Sequence, residues 1–359
     1  MSYKIANDGL GQALRTVQRL AQPEVVTLRF KDNSLTVKGA GQNGGACKIK
    51  LDVESDGDKS GEVTVDLNLL ASVIDKRKDL ELTVGEATLV VKSKGFTVDM
   101  ISMDGQPIEV VPKEILQGSE GIELGSKLMT QLLRYLPKIE LRPLLSTYSE
   151  CPVGIKTNDK GTFVACFDFV QSAFVRLKSI KSDTPFEFVL PSIAQFNTLA
   201  RELSGHKYKL VITETTLYAF NDMVQAALAL PQQEGEQLQL ADVIGLVKSL
   251  KEMKYKRLVF KTEAVKQFLS NSRAVYDKDS LFTIKAKGDK AKIELKATVG
   301  NTSMVTKLKE PVKDFELKCD LNFFASIVNK TNDKTLTLEA TPELLLLKEG
   351  KISYLMSLV

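Results

Sequence analysis

Several residue groups have types and spacings that could do chemistry. Gly39-Ala-Gly-Gln-Asn-Gly44 spells G-x-G-x-x-G. A dinucleotide fingerprint needs a helix after the glycines, so that the pyrophosphate meets the helix N-terminus. Residues 46–53 alternate as a strand instead, and a β-hairpin turn is expected. Asp52, Glu54, Asp56, Gly57 and Asp58 resemble the opening of a calcium loop. The twelfth position of such a loop supplies a bidentate Glu, but Val63 stands there and Glu62 comes one residue early. A solvated acidic hairpin loop is expected. Asp75-Lys-Arg-Lys-Asp79 reads as a charged helix end. Cys47, Cys151, Cys166 and Cys319 contain no C-x-x-C pair, so zinc spacing is absent. Each lies in an apolar run and reads as a small buried hydrophobe. His206 is the only histidine and follows Leu203-Ser-Gly, a turn after a helix. Ser–His–Asp and Cys–His catalysis both need a histidine in an organised pocket. No enzyme activity, metal or cofactor is expected.

The elements around these residues belong to a soluble chain. Its 359 residues, 43% apolar and 26% charged, suit two or three domains. Aliphatic runs such as Leu344 to Leu347 fall far short of the ~20 residues of a membrane span. The opening residues, Met1 to Asp8, lack the basic-then-apolar pattern of a secretory leader, and a cytoplasmic protein is expected.

An internal repeat organises the chain. Asp66-Leu-Asn-Leu-Leu-Ala-Ser-Val-Ile74 and Asp320-Leu-Asn-Phe-Phe-Ala-Ser-Ile-Val328 share five of nine residues, the rest being apolar exchanges. A strand precedes each, and three follow: 80–84, 88–94 and 96–101; 335–340, 343–348 and 353–359. A middle copy has a strand at 186–190, a helix at 191–203 with Pro191 at its first position, and strands at 208–213, 216–220 and 225–230. The first halves repeat too. Strands near 3, 121 and 255 lead into helices at 9–21, 127–136 and 263–275. Three strands then follow each helix: 25–30, 34–38 and 46–53; 152–156, 162–167 and 173–178; 281–287, 290–299 and 302–308. Each copy is thus strand–helix–three strands, done twice. Alternation such as Lys48-Ile-Lys-Leu-Asp-Val53 implies antiparallel sheets with helices on one face. The class is α+β, with domains at 1–112, 120–231 and 255–359. Residues 232–254 break the pattern as a polar linker and an amphipathic helix with apolar residues at 240, 243, 244, 247, 250 and 253.

Charge is distributed unevenly. The six repeat helices and their ends (8–20, 67–78, 126–138, 191–206, 263–275, 321–331) carry Arg15, Arg19, Lys76, Arg77, Lys78, Lys127, Arg134, Lys138, Arg201, Lys266, Arg273 and Lys330. Only Asp8, Asp75, Glu202 and Glu263 oppose them, although the whole chain is only +4. A positive helix layer could line up phosphates without reading bases.

At this point the chain resembles the DNA polymerase sliding clamps of the bacterial three-domain type. The triple repeat carries the resemblance over nearly the whole length. Leu269-Ser-Asn271, Asp320-Leu-Asn-Phe-Phe324 and the segment Ile352-Ser-Tyr-Leu-Met-Ser-Leu-Val359 are similar to motifs of that family. The 232–254 insert, the absent Met-Pro and Phe323 in place of Tyr depart from it and point to a divergent member, such as a phage clamp. The resemblance implies two chains closed head-to-tail as a homodimer ring. Helices would line the hole around duplex DNA, and sheets would form the outside. The replicative DNA polymerase would be tethered, and a clamp-loader ATPase would open the ring. It implies a peptide groove of Cys166, Asp168, Phe169, Val170, Pro231, Tyr276, Asp320, Phe323, Leu346, Leu355, Ser357 and Val359. The seam is expected near Ile108 and Val110 on one side, and near Phe268 and Leu269 on the other. The alternatives are a structural or virion protein of repeated β-rich domains, and a repeat-domain enzyme with an unseen site.

Overall fold

The computed structural model describes residues 2–55, 60–74, 79–105, 108–118, 121–141, 143, 150–168, 170–231, 240–252, 255–275, 280–341 and 343–358. The first copy runs β1 (Ser2–Ala6), α1 (Asn7–Ala21), β2 (Val25–Lys31), β3 (Ser34–Ala40), β4 (Ala46–Asp52), β5 (Glu54–Ser55), β6 (Gly61–Asp66), α2 (Leu67–Ile74), β7 (Asp79–Val84), β8 (Thr88–Ser93) and β9 (Phe96–Ile101). A short helix, α3 (Lys113–Gln117), precedes the middle copy. That copy is β10 (Ile122–Leu124), α4 (Lys127–Ile139), β11 (Val153–Asn158), β12 (Gly161–Phe167), β13 (Gln171–Leu177), β14 (Phe186–Leu190), α5 (Ile193–Leu203), β15 (Tyr208–Ile212), β16 (Thr216–Phe220) and β17 (Val224–Ala229). After α6 (Leu240–Glu252) comes the third copy: β18 (Lys256–Lys261), α7 (Thr262–Ser272), β19 (Leu281–Ala297), β20 (Gly300–Asp320), α8 (Leu321–Lys330), β21 (Thr335–Ala340), β22 (Leu344–Glu349) and β23 (Ile352–Ser357).

The chain divides into two compact units. The first is Met1–Arg134 with Leu190–Gln232; the second is Tyr135–Val189 with Gln233–Val359. In the first unit an antiparallel sheet runs β10-β15-β16-β17-β4-β3-β2-β6, and a smaller one β5-β1-β7-β8-β9. Middle-copy β17 pairs with first-copy β4, from Val224↔Ile49 to Ala227↔Ala46. Helix α1 buries Leu10, Leu14, Val17 and Ala21, a 3.6-period stripe, against β3 and β4, and it touches α2 and α5. In the second unit the sheet is β14-β11-β12-β13-β23-β22-β21-β18. Its copies join where β13 pairs with β23, from Gln171↔Met356 to Val175↔Ile352.

The repeat motif starts its helix in the same way each time. Asp66 Oδ1 accepts a hydrogen bond from Leu69 N at 2.7 Å, and Asp320 Oδ1 accepts one from Phe323 N at 2.7 Å. These are N-caps, satisfying amides that the first helical turn leaves unpaired. In the middle copy Ser192 caps α5 by accepting from Ala194 N and Gln195 N. Pro191 therefore precedes the cap rather than opening the helix.

The third copy departs from the expected strands. The strands expected at 281–287 and 290–299 merge into one strand, β19, which ends at Ala297, and the strand expected at 302–308 runs on to Asp320 as one strand, β20. Gly288 adopts φ +60°, and the register shifts on either side of it. Gly288-Asp289 looks like a turn in sequence, but the left-handed glycine makes a bulge and pairing with β20 continues. Pro311, which has no amide to donate, sits in the irregular stretch between the Lys290↔Lys307 and Gly288↔Val312 pairs.

The glycine motif has a packing explanation. Gly39 ends β3 near α1, where a Cβ would lie 2.6 Å from Val17 Cγ1 and Pro23 Cγ. At Gly41 it would lie 1.8 Å from the Ala21 carbonyl oxygen. Gly44, at φ +76°, closes the β3–β4 hairpin. The glycines let this hairpin approach the end of α1, as the hairpin reading expects. Asp56, Gly57 and Asp58 of the acidic loop lie outside the described residues. His206 is exposed in the turn after α5. All four cysteines are buried thiols. Burial pushes the Cys47 and Cys319 pKa values up; for Cys151 the hydrogen bond with the Cys166 thiol leads, then burial.

Candidate functional site

The basic side chains of the helix layer stand at the surface of their units. On α1, Arg15 and Arg19 are exposed while Leu14, Val17 and Leu20 are buried. Arg201 on α5 and Lys127 and Arg134 on α4 are exposed in the same unit. Glu202, the acid beside them, accepts hydrogen bonds from Thr16 Oγ1 at 2.8 Å and Gln12 Nε2 at 3.4 Å. In the second unit Lys138, Arg273 and Lys330 are exposed and Lys266 is half-buried. Lys330 Nζ donates to the Glu140 carbonyl at 2.8 Å. Lys76, Arg77 and Lys78 lie outside the described residues.

Of the expected groove residues, the structure brings together Leu346 and Leu355. They pair across β22 and β23 and share a buried apolar cluster with Ala165, Phe167, Phe174 and Leu344. Ser357 pairs with Leu344 and is exposed. Cys166 alternates to the opposite side of β12 from Ala165 and Phe167, and its Sγ approaches the Cys151 carbonyl at 3.9 Å. Asp168 shapes the turn between β12 and β13. Its Oδ1 accepts from Val170 N at 2.8 Å and Gln171 N at 2.9 Å, and its Oδ2 accepts from Gln171 Nε2 at 2.9 Å. The Val170 carbonyl accepts from Ser357 N at 2.9 Å, tying that turn to the end of β23. Asp320 caps α8, and Phe323 is buried in that helix. Pro231 belongs to the other unit. Phe169, Tyr276 and Val359 lie outside the described residues.

Helix α6 covers the face that carries this cluster. Its Leu240 and Val243 are buried in it, and Ile244 and Val247 pack against it. Tyr354 and Met356 alternate to the other face of β23, where the Tyr354 hydroxyl donates to the Lys138 carbonyl at 3.0 Å. α6 and the end of α4 therefore lie on opposite sides of the sheet. Composition did not single out Phe163, Ala165, Phe167 and Phe174. The signal the sequence did carry is Gly154, a glycine inside strand β11 that marks a close approach. A Cβ on Gly154 would lie 3.1 Å from both Leu240 methyl carbons.

The four residues expected at a seam pack inside their own units. Val110 is buried with Val111, Phe220 and Ala227, and Ile108 packs against that cluster. Phe268 and Leu269 are core residues of α7. An apolar side chain in a strap or on a helix's inner face is consumed by its own sheet, which charge and hydropathy alone do not reveal. Among the exposed apolar side chains are Ile101 (79% exposed) on edge strand β9, Val305 (63%) on β20 and Val299 (74%) in the turn that joins β19 to β20, while others, such as Leu69 and Leu246, stand on helices. No helix among the described residues is long and apolar enough to cross a membrane.

No family model matches the chain, and no curated protein does. Solved structures do. The DNA polymerase III subunit beta of Pseudomonas aeruginosa superposes with a TM-score of 0.79 at 14% identity, covering 100% of both chains. The griselimycin-bound clamp of the same organism gives 0.80 at 14% identity, over 100% of this chain and 99% of that one. The Helicobacter pylori beta clamp bound to a DNA ligase peptide gives 0.73 at 15% identity, covering 100% of both chains. From end to end, the chain has the fold of the bacterial DNA polymerase III beta sliding clamps.

Proposed function

We propose that this protein is a sliding clamp, a processivity factor that encircles duplex DNA and tethers a replicative polymerase. The observation that carries this reading is the likeness to beta clamps over the full length of both chains. The exposed basic residues on the helices support it, because they suit sequence-independent phosphate contact. The domains are taken as 1–112, 120–231 and 255–359, with 232–254 as the connector. Two copies close head-to-tail as a homodimer, a cyclic arrangement in which each copy's two outer ends are used. The seam joins the β9 edge of one copy to the β19–β20 ribbon of the next, where Ile101, Val299 and Val305 supply apolar surface. The ring binds by topology, so release of the polymerase no longer ends synthesis, and tethering raises its effective concentration at the template. A loader ATPase opens the ring. The protein is a scaffold, and no residue of it is assigned catalysis. The partner surface is the sheet face around Leu346 and Leu355; the Helicobacter pylori clamp, similar in fold, binds a ligase peptide.

Light scattering tests the assembly: a dimer of this 39.6 kDa chain is expected. Retention on nicked circular DNA, with loss on linearisation, tests the topology. A monomer that is retained equally on both would overturn the reading.

A further inference from the structure

We infer that α6 is a resident, exchangeable ligand of the sheet face it covers, and that a partner docks there as a short amphipathic helix in its place. The face is built by two copies of the repeat, β11–β13 from the middle and β22–β23 from the third. Its buried apolar side chains are Ala165, Phe167, Phe174, Leu344, Leu346 and Leu355. α6 reaches it with Leu240, Val243, Ile244 and Val247, an i, i+3, i+4, i+7 stripe that defines the chemistry of a competing helix. The seat is shaped for such a side chain, because Gly154 leaves room for Leu240.

The helix is weak by itself. It has 13 residues, about the length at which isolated helices are marginal. Gly245 interrupts it, and Val243, Ile244 and Val247 are β-branched. Only Leu240 and Val243 of its stripe are fully buried, and Leu246 on its outer side is 40% exposed. A helix that forms only against its sheet opens locally without unfolding the rest. While closed, it competes as a tethered ligand at an effective concentration on the order of millimolar.

The inference deepens the proposed partner surface, but it needs neither ring nor DNA. Its test is read on the protein free in solution, so its failure and the failure of the clamp reading are separate results. The probe is a fluorescent peptide of residues 240–252, titrated onto wild type and onto a full-length Leu240→Asp/Val243→Asp variant. Binding to the variant should be at least about tenfold tighter than to wild type, because the resident helix no longer competes. Hydrogen exchange on wild type gives a second reading that no variant can spoil. The α6 amides should exchange on the order of a hundredfold faster than those of β12 and β13. Equal peptide binding to both proteins, binding to neither, or α6 protection equal to that of β12 would overturn the inference.

Discussion

Asp66 and Asp320 occupy the same place in two copies of one motif and do the same work, each accepting from the amide three residues on. Asp66→Ala and Asp320→Ala should each lower stability by about 1 kcal/mol, measured by urea unfolding, while Asn at either position keeps most of it. Gly41→Ala should cost about 1–3 kcal/mol, because its Cβ would overlap the Ala21 carbonyl and the clash is with backbone. The buried thiols make stability depend on pH. Cys47, Cys151 and Cys319 are all held protonated by the fold. The unfolded chain releases those protons once pH passes about 9, so the folded state then binds more protons and loses stability as pH rises. Their contribution is complete below that pH. The urea midpoint should fall between pH 8 and 10.5, taking these values as a rough bracket of the thiol range, and fall less in Cys47→Ala. An unchanged slope would place the effect elsewhere.

At the scale of elements, much was legible and the exceptions have physical causes. The motif at 66–74 and 320–328 marked two helices correctly because capping and apolar period are local signals. The helix at 240–252 could be read for the same reason. Where it packs could not, since that depends on the register between β12, β13 and β23, strands far apart in sequence. The expected groove was only partly assembled. Asp168 and Asp320 are polar residues near turns, and their carboxylates turn inward to backbone amides. Gly288-Asp289 misled because a positive-φ glycine serves a turn and a bulge equally well. The β19–β20 ribbon that results has exposed Val299 and Val305, and natural sheets seldom leave such an edge uncovered. Val305→Lys, or Ile101→Lys on β9, should weaken dimerisation at least about tenfold by sedimentation equilibrium without changing circular dichroism, the loss of one buried apolar anchor being about 1.5–3 kcal/mol. An unaltered dissociation constant in both would move the seam.

For the whole molecule, the charge bias of the helices makes a collective prediction. Arg15, Arg134, Arg201 and Arg273 all changed to Glu should keep the circular dichroism of the folded wild type, since these side chains are exposed. DNA retention should fall, and its log–log salt slope should flatten by roughly one for each phosphate that is no longer neutralised. A variant as well retained as wild type would show that the helices do not face DNA. The way the sheets are shared between copies bears on how the chain acquires its structure. Strands β11–β13 gain their neighbour β23 only after residues 352–357 have been synthesised, and β2–β4 gain β17 only after residues 224–229. Domains made as successive beads could each finish before the next emerged from the ribosome. Here the middle bead is committed half to its predecessor and half to its successor, so neither sheet closes during early synthesis. The open edge of β13, which ends at Leu177, must wait until β23 begins at Ile352, exposed to mispairing with other nascent chains. Folding should therefore be slow and late, governed by sequence-distant pairings, and a chain truncated before residue 335 should aggregate through that edge rather than persist as a smaller folded protein.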